Sequence, residues 1–397
     1  MNNNIEAIYK IAGKPVRNII GLMSGTSFDG LDIALCEFRG SGLETSVKVR
    51  KFTTKEYKSD FKEDLKAVFA KKIANLEQIT LLNDFIGSYY AELVLECLKN
   101  WGISASEIDL IASHGQTIYH APKHQHGIAR YSNATLQIGD GDHLAVKTGI
   151  ITISDFRQKH VAVGGEGAPL AVYGDYLLFS SPDENRIMLN IGGIANFTFL
   201  PSGHSTGFFS SDVGPGNTLM DQFIQLKYPG KYYDKNAEIA SAGKVNESLL
   251  EALLDHPFYN AGYPKTKGPE LFSLSYLDKT LLKCGLENSS NEDIMATLAA
   301  FSARGIIMAI SECVSGKGPF EIYLSGGGMY NPVLLKYVEE HFGRKLKLTS
   351  DLGIDPDAKE AVLFAVLANE AVAGGKTSYG DHPGVPSISM GKISFPE

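Results

Sequence analysis

The stretch GLMSGTSFDGLDIALCEF, residues 21–38, places a glycine turn with hydroxyls and carboxylates between two apolar segments. A Walker A loop or a dinucleotide-binding fingerprint would open a helix after its glycines, and the Walker A lysine is not present at the required position. The segment DIALCEF instead alternates, with Ile33 and Leu35 on one face and Ala34 and Cys36 on the other. This period of two predicts a strand, so the turn is predicted to close a β-hairpin.

The same turn offers groups that bind a phosphate. Its glycines allow the backbone to approach an anion closely, and successive amides and two hydroxyls can donate to its oxygens. Two aspartates would repel a bare phosphate, so Mg²⁺ is needed to reconcile them with ATP. From this motif alone, a plain hairpin turn with solvated aspartates stays open. The residues assigned to ATP in this turn are Gly25, Thr26, Ser27, Asp29, Gly30 and Asp32.

Two further glycine turns favour the phosphate interpretation. The segment RIMLNIGGIANFTFL (186–200) again reads as strand, glycine turn and strand, and IYLSGGGMYN (322–331) follows a strand and leads into a helix. Two phosphate-clamping hairpins and a glycine platform for the nucleoside are the layout of the actin and sugar-kinase superfamily. The residues assigned to ATP in these turns are Gly192, Gly193, Gly326, Gly327, Gly328 and Asn331.

Composition limits the class of protein. A formal net charge of −8 argues against a general nucleic-acid or anionic-membrane binder, whose surface would be basic. No window of the sequence approaches a membrane-spanning apolar run, and the N-terminus lacks the apolar core of a signal peptide. The four cysteines lie far apart, which fits a reducing compartment, so a cytoplasmic protein is expected. The oligomeric state is left open, with a homodimer as one alternative.

The order of apolar segments predicts an α/β protein of two domains. Strand-like segments alternate with helical patterns along all 397 residues, and the hairpin pattern of the first half recurs in the second. The turn-rich segment FSSPDENR marks the boundary. We therefore expect a first domain at 1–183 and a second, nucleotide-binding domain at 184–375. Residues 376–397 are expected to pack back on the first domain.

Seven motifs occur in an order that makes the resemblance specific: GLMSGTSFDGLD, SHGQT, DFR, GGEGAPL, LNIGGIANFT, DVGPGN with LMD just after it, and SGGGMYNPVL. Together they resemble the 1,6-anhydro-N-acetylmuramic acid kinases, ATP-dependent enzymes of bacterial cell-wall recycling. The resemblance extends from residue 21 to about residue 373. It implies two RNase H-like domains of the actin/hexokinase-like fold, with ATP and an anhydro-sugar in the cleft between them.

The resemblance implies two catalytic carboxylates. Enzymes of this family open the 1,6-anhydro bond with water and phosphorylate the freed O6, so a carboxylate base is required. Asp212, beside the side-chain-poor turn GPG, matches the catalytic aspartate. Its alternative role is to cap the next helix, for which Asn217 is better placed, and Asp221 inside that helix is expected to be structural. Glu360 matches an active-site glutamate, in the first turn of a helix predicted to begin after an N-cap at Asp355. Asp212 and Glu360 are also the candidate Mg²⁺ ligands.

The sugar is expected to bind at the ends of strands in the first domain. Thr117, Asp155 and Arg157 are the candidates, and Arg157 is the natural partner of the lactyl carboxylate of a muramic acid. An ordinary ion pair between Arg157 and Asp155 is the alternative. His114 is expected to be a structural, hydrogen-bonded histidine.

The chain departs from the family pattern at three places. Glu166 stands where the family usually has Gln, and His160 stands where an acid is usual, three residues after the arginine of DFR. The family's PKSTGRE-like segment is PKTKGPE here, residues 264–270. These changes leave a levoglucosan-type kinase open as an alternative. A simple hydroxyl kinase and a non-enzymatic ATP-binding protein of actin or chaperone type are further alternatives.

Overall fold

The computed structural model describes residues 2–265, 271–375, 377–380 and 384–397. The chain divides into two compact units, one of residues 1–179 with 358–397 and one of residues 180–357. In the first unit the helices and strands are α1 (Asn3–Ala12), β1 (Arg17–Ser24), β2 (Gly30–Arg39), β3 (Ser46–Glu56), α2 (Ser59–Val68), α3 (Leu76–Trp101), β4 (Leu110–Ala121), α4 (Lys123–His126), β5 (Ala134–Ile138), α5 (Gly141–Thr148), β6 (Thr152–Ser154), α6 (Arg157–Ala162), α7 (Ala171–Phe179), α14 (Lys359–Ala373) and β12 (Lys392–Ser394).

The second unit is formed by one continuous segment. Its elements are β7 (Asn185–Ile191), β8 (Ile194–Leu200), β9 (Phe209–Pro215), α8 (Thr218–Lys227), α9 (Glu238–Ala242), α10 (Glu247–Leu254), α11 (Leu274–Cys284), α12 (Asn291–Val314), β10 (Phe320–Ser325), α13 (Pro332–Phe342) and β11 (Lys347–Leu348).

The two sheets share one topology. The first has the order β12-β6-β4-β1-β2-β3, with β5 paired to β4, and the second has the order β11-β10-β7-β8-β9. In each sheet three consecutive strands form an antiparallel meander whose first strand also pairs in parallel with a later strand, β4 in the first sheet and β10 in the second. This is the RNase H-like arrangement, so the predicted fold class of two such domains is confirmed. Both glycine hairpins are also present as predicted, since β1 pairs with β2 and β7 with β8.

The division of the chain differs from the predicted boundaries. Helix α14 was expected in the second domain, but it packs against β1, β4 and α7 and belongs to the first unit. The side chains from Ala361 to Asn369 are buried there. Strand β12 pairs antiparallel with β6, which adds the C-terminal segment to the edge of the same sheet. The first unit is therefore made from two separate parts of the chain.

The predicted start of α14 is wrong. The helix begins at Lys359, and its N-cap is Ala358, which makes no side-chain cap. The Asp355 carboxylate instead accepts a hydrogen bond from the Asp357 amide (2.9 Å), which closes a turn ahead of the helix. Glu360 nevertheless lies in the first helical turn, as expected.

Among the described helices, α12 is long and apolar enough by length and composition to cross a membrane, contrary to the expectation that no segment would be. Most of its side chains are buried in the hydrophobic core of the second unit, against the second sheet and helices α8, α9, α10 and α13. This is the position of a core helix in a globular domain.

The contact between β1 and α14 requires a glycine at position 21. A Cβ atom at Gly21 would lie 1.9 Å from the carbonyl oxygen of Ala361. We expect Gly21→Ala to lower the free energy of unfolding by about 3 kcal/mol, because backbone cannot move aside as a side chain can. Gly13→Ala is the control, since its nearest neighbour would be 3.7 Å away. Urea unfolding of both variants tests this, and equal effects would contradict it.

Candidate active site in two half-sites

The first glycine turn presents its polar groups to solvent. Thr26, Ser27 and Asp29 are exposed, whereas Phe28 between them is buried and packs its ring edge-on against Phe69 (5.1 Å between centroids). The aromatic side chain therefore anchors the turn to the core. The hydroxyls and the carboxylate remain available to a ligand.

Hydrogen bonds order the two aspartates of this turn. Asp29 Oδ1 accepts from the Ser27 hydroxyl (2.8 Å) and from the Gly30 amide (3.0 Å). Asp32, on β2, accepts from the Thr54 hydroxyl on β3 (2.5 Å). Gly30 has a further reason to be glycine, since a Cβ there would lie 2.6 Å from the carbonyl oxygen of Lys55.

A buried polar network lies under the turn, and no local sequence pattern indicated it. The Ser24 hydroxyl donates to Gln116 Oε1 (2.6 Å), and Gln116 Nε2 donates to the Gly25 carbonyl oxygen (3.3 Å). Tyr57 Oη donates to Ser24 Oγ (2.8 Å) and is hydrogen-bonded to Tyr90 Oη (2.9 Å). Ser24, Gln116, Tyr57 and Tyr90 are at most 4% exposed. A satisfied network of this kind fixes the geometry of the backbone that it holds.

The second glycine turn is attached to the segment that follows β9. The carbonyl oxygens of Gly192 and Gly193 accept from the amides of Asn217 (2.9 Å) and Gly216 (2.8 Å), and Gly193 also accepts from Thr218 (3.1 Å). Asn217 occupies the N-cap position of α8, but its side chain does not cap the helix as predicted. Its Nδ2 donates to the carbonyl oxygen of Ile191 instead (3.3 Å).

The third glycine turn packs on the same strand ends. A Cβ at Gly328 would lie 2.1 Å from the Ile191 side chain, so the turn touches the end of β7. Asn331 caps α13, since its Oδ1 accepts from the Leu334 amide (3.0 Å). An ATP contact by Asn331 stays a prediction, as do the contacts of the other glycine-turn residues. The second unit thus brings its two glycine turns together at one edge of its sheet.

Asp212 lies on β9, the edge strand of the second sheet. A β-bulge follows it, because Ala195 pairs with Gly214 and Asn196 with Asp212, which leaves Val213 unpaired. Bulges of this kind re-aim side chains and are frequent beside active sites. The Asp212 side chain is partly exposed, and its amide donates to the Lys265 carbonyl oxygen (2.9 Å).

Three predicted site residues of the first unit, Glu360, Arg157 and Asp29, interact electrostatically. Desolvation by the surrounding protein raises the pKa of Glu360, although its side chain is exposed at the surface. The charges of Lys359 and Arg157 lower that pKa, and the carboxylates of Asp175 and Asp29 raise it. The charges of Arg157 and of Asp29 in the first glycine turn therefore both act on the pKa of this glutamate at the start of α14.

Arg157 is held by neutral groups. Its Nε and Nη2 lie 3.1 and 3.0 Å from His114 Nε2, and its Nη1 donates to the Gly167 carbonyl oxygen (2.7 Å). Burial and the charge of Arg157 keep the pKa of His114 well below its usual value, so the imidazole is neutral and its Nε2 is an acceptor. The alternative ion pair with Asp155 is not formed, because Asp155 pairs with Lys392. His114 is a buried, hydrogen-bonded histidine, as expected, and its partner is Arg157.

A polar cavity of about 350 Å³ adjoins His114 in the first unit, and its lining includes Asp155, Gln137, Ser154 and Lys392. Thr117 does not line it, but its hydroxyl accepts from Gln137 Nε2 (3.2 Å). The volume and the polar lining suit a sugar-sized ligand.

Comparisons with known proteins identify the family of the chain. The family model of anhydro-N-acetylmuramic acid kinase matches residues 17–391. The anhydro-N-acetylmuramic acid kinase of Pseudoalteromonas atlantica is 53% identical over 401 residues, which cover 100% of both chains. The chain belongs to the anhydro-N-acetylmuramic acid kinase family. Members from Pseudoalteromonas translucida (51% identical, 100% of both chains) and Caldanaerobacter subterraneus (37% identical, 98% of this chain and 100% of the relative) match in the same way.

Two of the three departures from the family pattern have a local structural explanation. His160 is buried; its Nδ1 accepts from the Gly167 amide (2.9 Å), and its Nε2 donates to the Gly384 carbonyl oxygen (3.1 Å). It therefore holds the residue whose carbonyl binds Arg157. Glu166 pairs with His124 (3.0 Å). In the segment PKTKGPE, Pro264 and Lys265 are described and residues 266–270 lie outside the described residues.

The buried network under the first glycine turn should be measurable through nucleotide affinity. We expect Tyr57→Phe to weaken ATP binding about threefold to tenfold, because it removes one hydrogen bond that holds Ser24 and, through Gln116, the turn. Titration calorimetry with ATP measures this. Tyr89→Phe is the control, since Tyr89 contacts the rings of Tyr57 and Phe61. Unchanged affinity in Tyr57→Phe, or an equal loss in both variants, would contradict the role of the network.

Asp221 should make stability depend on pH. Burial raises its pKa from 3.8 to about 6, so the folded chain binds this proton more tightly than the unfolded chain. The free energy of unfolding should therefore fall as pH rises from about 4 to about 6. Asp221→Asn removes the charge, so we expect it to be more stable than wild type by roughly 1–2 kcal/mol at pH 7.5 and to match it near pH 4. Urea unfolding at both pH values tests this, with the exposed Asp255→Asn as control. The same difference at both pH values would contradict it.

Proposed function

We propose that the chain is an ATP-dependent kinase that opens the 1,6-anhydro ring of 1,6-anhydro-N-acetylmuramic acid with water and phosphorylates O6. The products are N-acetylmuramic acid 6-phosphate and ADP. Membership of the family and full-length identity of 53% to a named anhydro-N-acetylmuramic acid kinase support this activity. We propose that it acts in the cytoplasm, where the four free cysteines would stay reduced.

The environment of Arg157 is the observation that supports a muramic sugar as the substrate. Its guanidinium is held by a neutral imidazole and a backbone carbonyl, and within the described residues it forms no salt bridge. Burial lowers its pKa to about 10, against the weaker effect of Glu360. A partly desolvated cation with neutral partners favours an anionic ligand. The lactyl carboxylate of a muramic acid supplies that anion, and levoglucosan does not.

Asp212 is the proposed general base. It would take a proton from the water whose oxygen forms the new bond to the anomeric carbon, while the bond from that carbon to O6 breaks. O6 would then form a bond to the γ-phosphorus as the bond to the ADP oxygen breaks. The bulge after Asp212 would direct its side chain, and Glu360, whose pKa is raised, would hold or pass a proton near O6.

We propose that a Mg²⁺ ion arrives with ATP. In the described ranges no group of three or more His, Cys, Asp or Glu side chains is arranged to hold a metal ion. Enzymes of phosphoryl transfer commonly bind Mg²⁺ through one or two carboxylates and the phosphates of the nucleotide. Asp29, Glu360 and Asp212 are the carboxylates that would contribute. When bound, the ion neutralises charge on the phosphates.

ADP release tests substrate and base together. We expect release with 1,6-anhydro-N-acetylmuramic acid and ATP, and much less with levoglucosan or N-acetylglucosamine. Asp212→Asn should lower it by at least 100-fold, since the loss of a general base typically costs a factor of 100 to 10,000. The exposed Asp255→Asn is the matched control. No ADP release with any of the three sugars would favour the non-enzymatic alternative, and a product whose ring is still closed would favour a simple hydroxyl kinase.

Arg157→Ala tests the recognition of the carboxylate. We expect kcat/KM for the muramic substrate to fall roughly 10- to 100-fold, because a charge-assisted hydrogen bond contributes about 1.5–3 kcal/mol. The same substrate with its lactyl carboxylate converted to an amide should be a poor substrate for wild type and should lose little more in Arg157→Ala. The exposed Arg130→Ala is the control. If wild type accepts the amide as well as the acid, Arg157 does not bind the carboxylate.

A further inference from the structure

A loop of the second unit, residues 256–265, runs beside the strand that carries Asp212. We call it the brace. Its last residue, Lys265, bonds to β9 through the main chain: the Lys265 carbonyl oxygen accepts from the Asp212 amide (2.9 Å), and the Lys265 amide donates to the Ser211 hydroxyl oxygen (3.0 Å). Because β9 is an edge strand, the brace satisfies groups that the sheet leaves unpaired on that side.

The brace also contacts the far side of the bulge. A Cβ at Gly214 would lie 2.8 Å from Tyr259 Oη and 3.5 Å from its ring. The Tyr259 ring in turn packs against Phe258, Phe272 and Phe301 of the core. The strand is therefore supported on both sides of the bulged residue.

The side chain of Lys265 is in an unusual environment for a lysine. It is 7% exposed, and its ammonium lies 4.2 Å from the centre of the Tyr263 ring and 4.7 Å from that of Phe258. It donates to the carbonyl oxygens of Phe258 (3.1 Å) and Ala261 (3.2 Å). Within the described ranges no carboxylate lies within 4 Å of it.

A buried ammonium is costly, and rings and carbonyls offset only part of that cost. Burial accordingly lowers the pKa of Lys265, against a weaker effect of Glu312. An apolar side chain of similar length would fill the space at a lower desolvation cost, but it could not donate hydrogen bonds to the two carbonyl oxygens. The ammonium therefore links the last residue of the brace to the carbonyl oxygens of Phe258 and Ala261 earlier in the same loop.

We propose that Lys265 is a positioning residue for Asp212: its ammonium closes the brace, and the closed brace holds the Asp212 backbone at the bulge. This rests on the proposed role of Asp212 as the general base. The catalytic carboxylate lies on an edge strand next to an irregularity, where the sheet alone fixes it weakly. A misplacement of about 1 Å can cost a factor of about 100 in rate.

Lys265→Met tests the proposal, because methionine keeps the apolar length and removes the charge. We expect kcat for the muramic substrate to fall roughly 10- to 100-fold, while the Kd for ATP changes less than twofold. Lys279→Met, at an exposed lysine of α11, is the matched control. A purely structural role would lower the melting temperature and leave kcat unchanged at a temperature where the variant is folded. A kcat within twofold of wild type in folded Lys265→Met would overturn the proposal.

A double-mutant cycle with Asp212→Asn separates positioning from a general effect. If Lys265 acts through Asp212, adding Lys265→Met to Asp212→Asn should lower the residual kcat by less than twofold. A full further loss of 10-fold or more would overturn the proposal. Should Lys265→Met not fold, Ser211→Ala replaces it in the cycle, since it removes the hydroxyl that accepts from the Lys265 amide. It should show the same non-additive loss.

The cycle also distinguishes the two failures. If Asp212→Asn keeps wild-type turnover, Asp212 is not the base, and the proposed function of that residue fails together with this inference. If Asp212→Asn is inactive while Lys265→Met and Ser211→Ala keep wild-type kcat, only the inference fails.

Discussion

The close approach of α14 to β1 at Gly21 is the constraint on which the arrangement of the candidate site residues in the first unit depends. A helix can lie this near to a strand only where a side chain is missing, and the Ala361 carbonyl oxygen occupies the space that a Cβ would fill. The neighbouring residue, Glu360, is consequently brought within electrostatic reach of Arg157 and Asp29. A packing requirement inside the first unit thus sets the spacing of charged groups that the sequence separates by more than 200 positions.

In the first unit, Arg157 is held in place by neutral hydrogen-bond partners rather than by carboxylates. His114 could in principle carry a charge, but burial and Arg157 together prevent this, and the ring accepts hydrogen bonds. Buried His160 supports the same arginine indirectly, because it holds Gly167, whose carbonyl oxygen accepts from Arg157. The family position usually occupied by an acid is therefore filled here by a residue that stabilises the loop.

The sequence predicted what depends on local pattern. The alternation after Gly30 and the glycines between apolar segments indicate two hairpins, and both are present. The seven ordered motifs also predicted membership of the anhydro-N-acetylmuramic acid kinase family, which is confirmed. The roles of single residues inside the turns were less predictable: Asn331 and Asn217 are both cap-like in sequence, and only Asn331 makes the cap. The difference lies in Ile191, a distant residue whose carbonyl takes the Asn217 side chain.

Long-range contacts account for most of what was missed. Ser24 and Gln116 are 92 positions apart, and nothing in either neighbourhood indicates that they meet under the glycine turn. The boundary at residue 358 was missed for the same reason, because α14 follows the second unit in sequence but packs with the first. The start of that helix was wrong because Asp355, a good cap by composition, uses its carboxylate in a separate turn.

The split composition of the first unit also bears on how the chain is made. Residues 358–397 leave the ribosome only after all of residues 180–357, so α14 and β12 are missing while the rest of the first sheet is being synthesised. During that interval β1 lacks its covering helix and β6 lacks its outer neighbour. The second unit, which is continuous, can complete its core first. The last part of the first unit to be synthesised is therefore the segment that closes its sheet and carries Glu360.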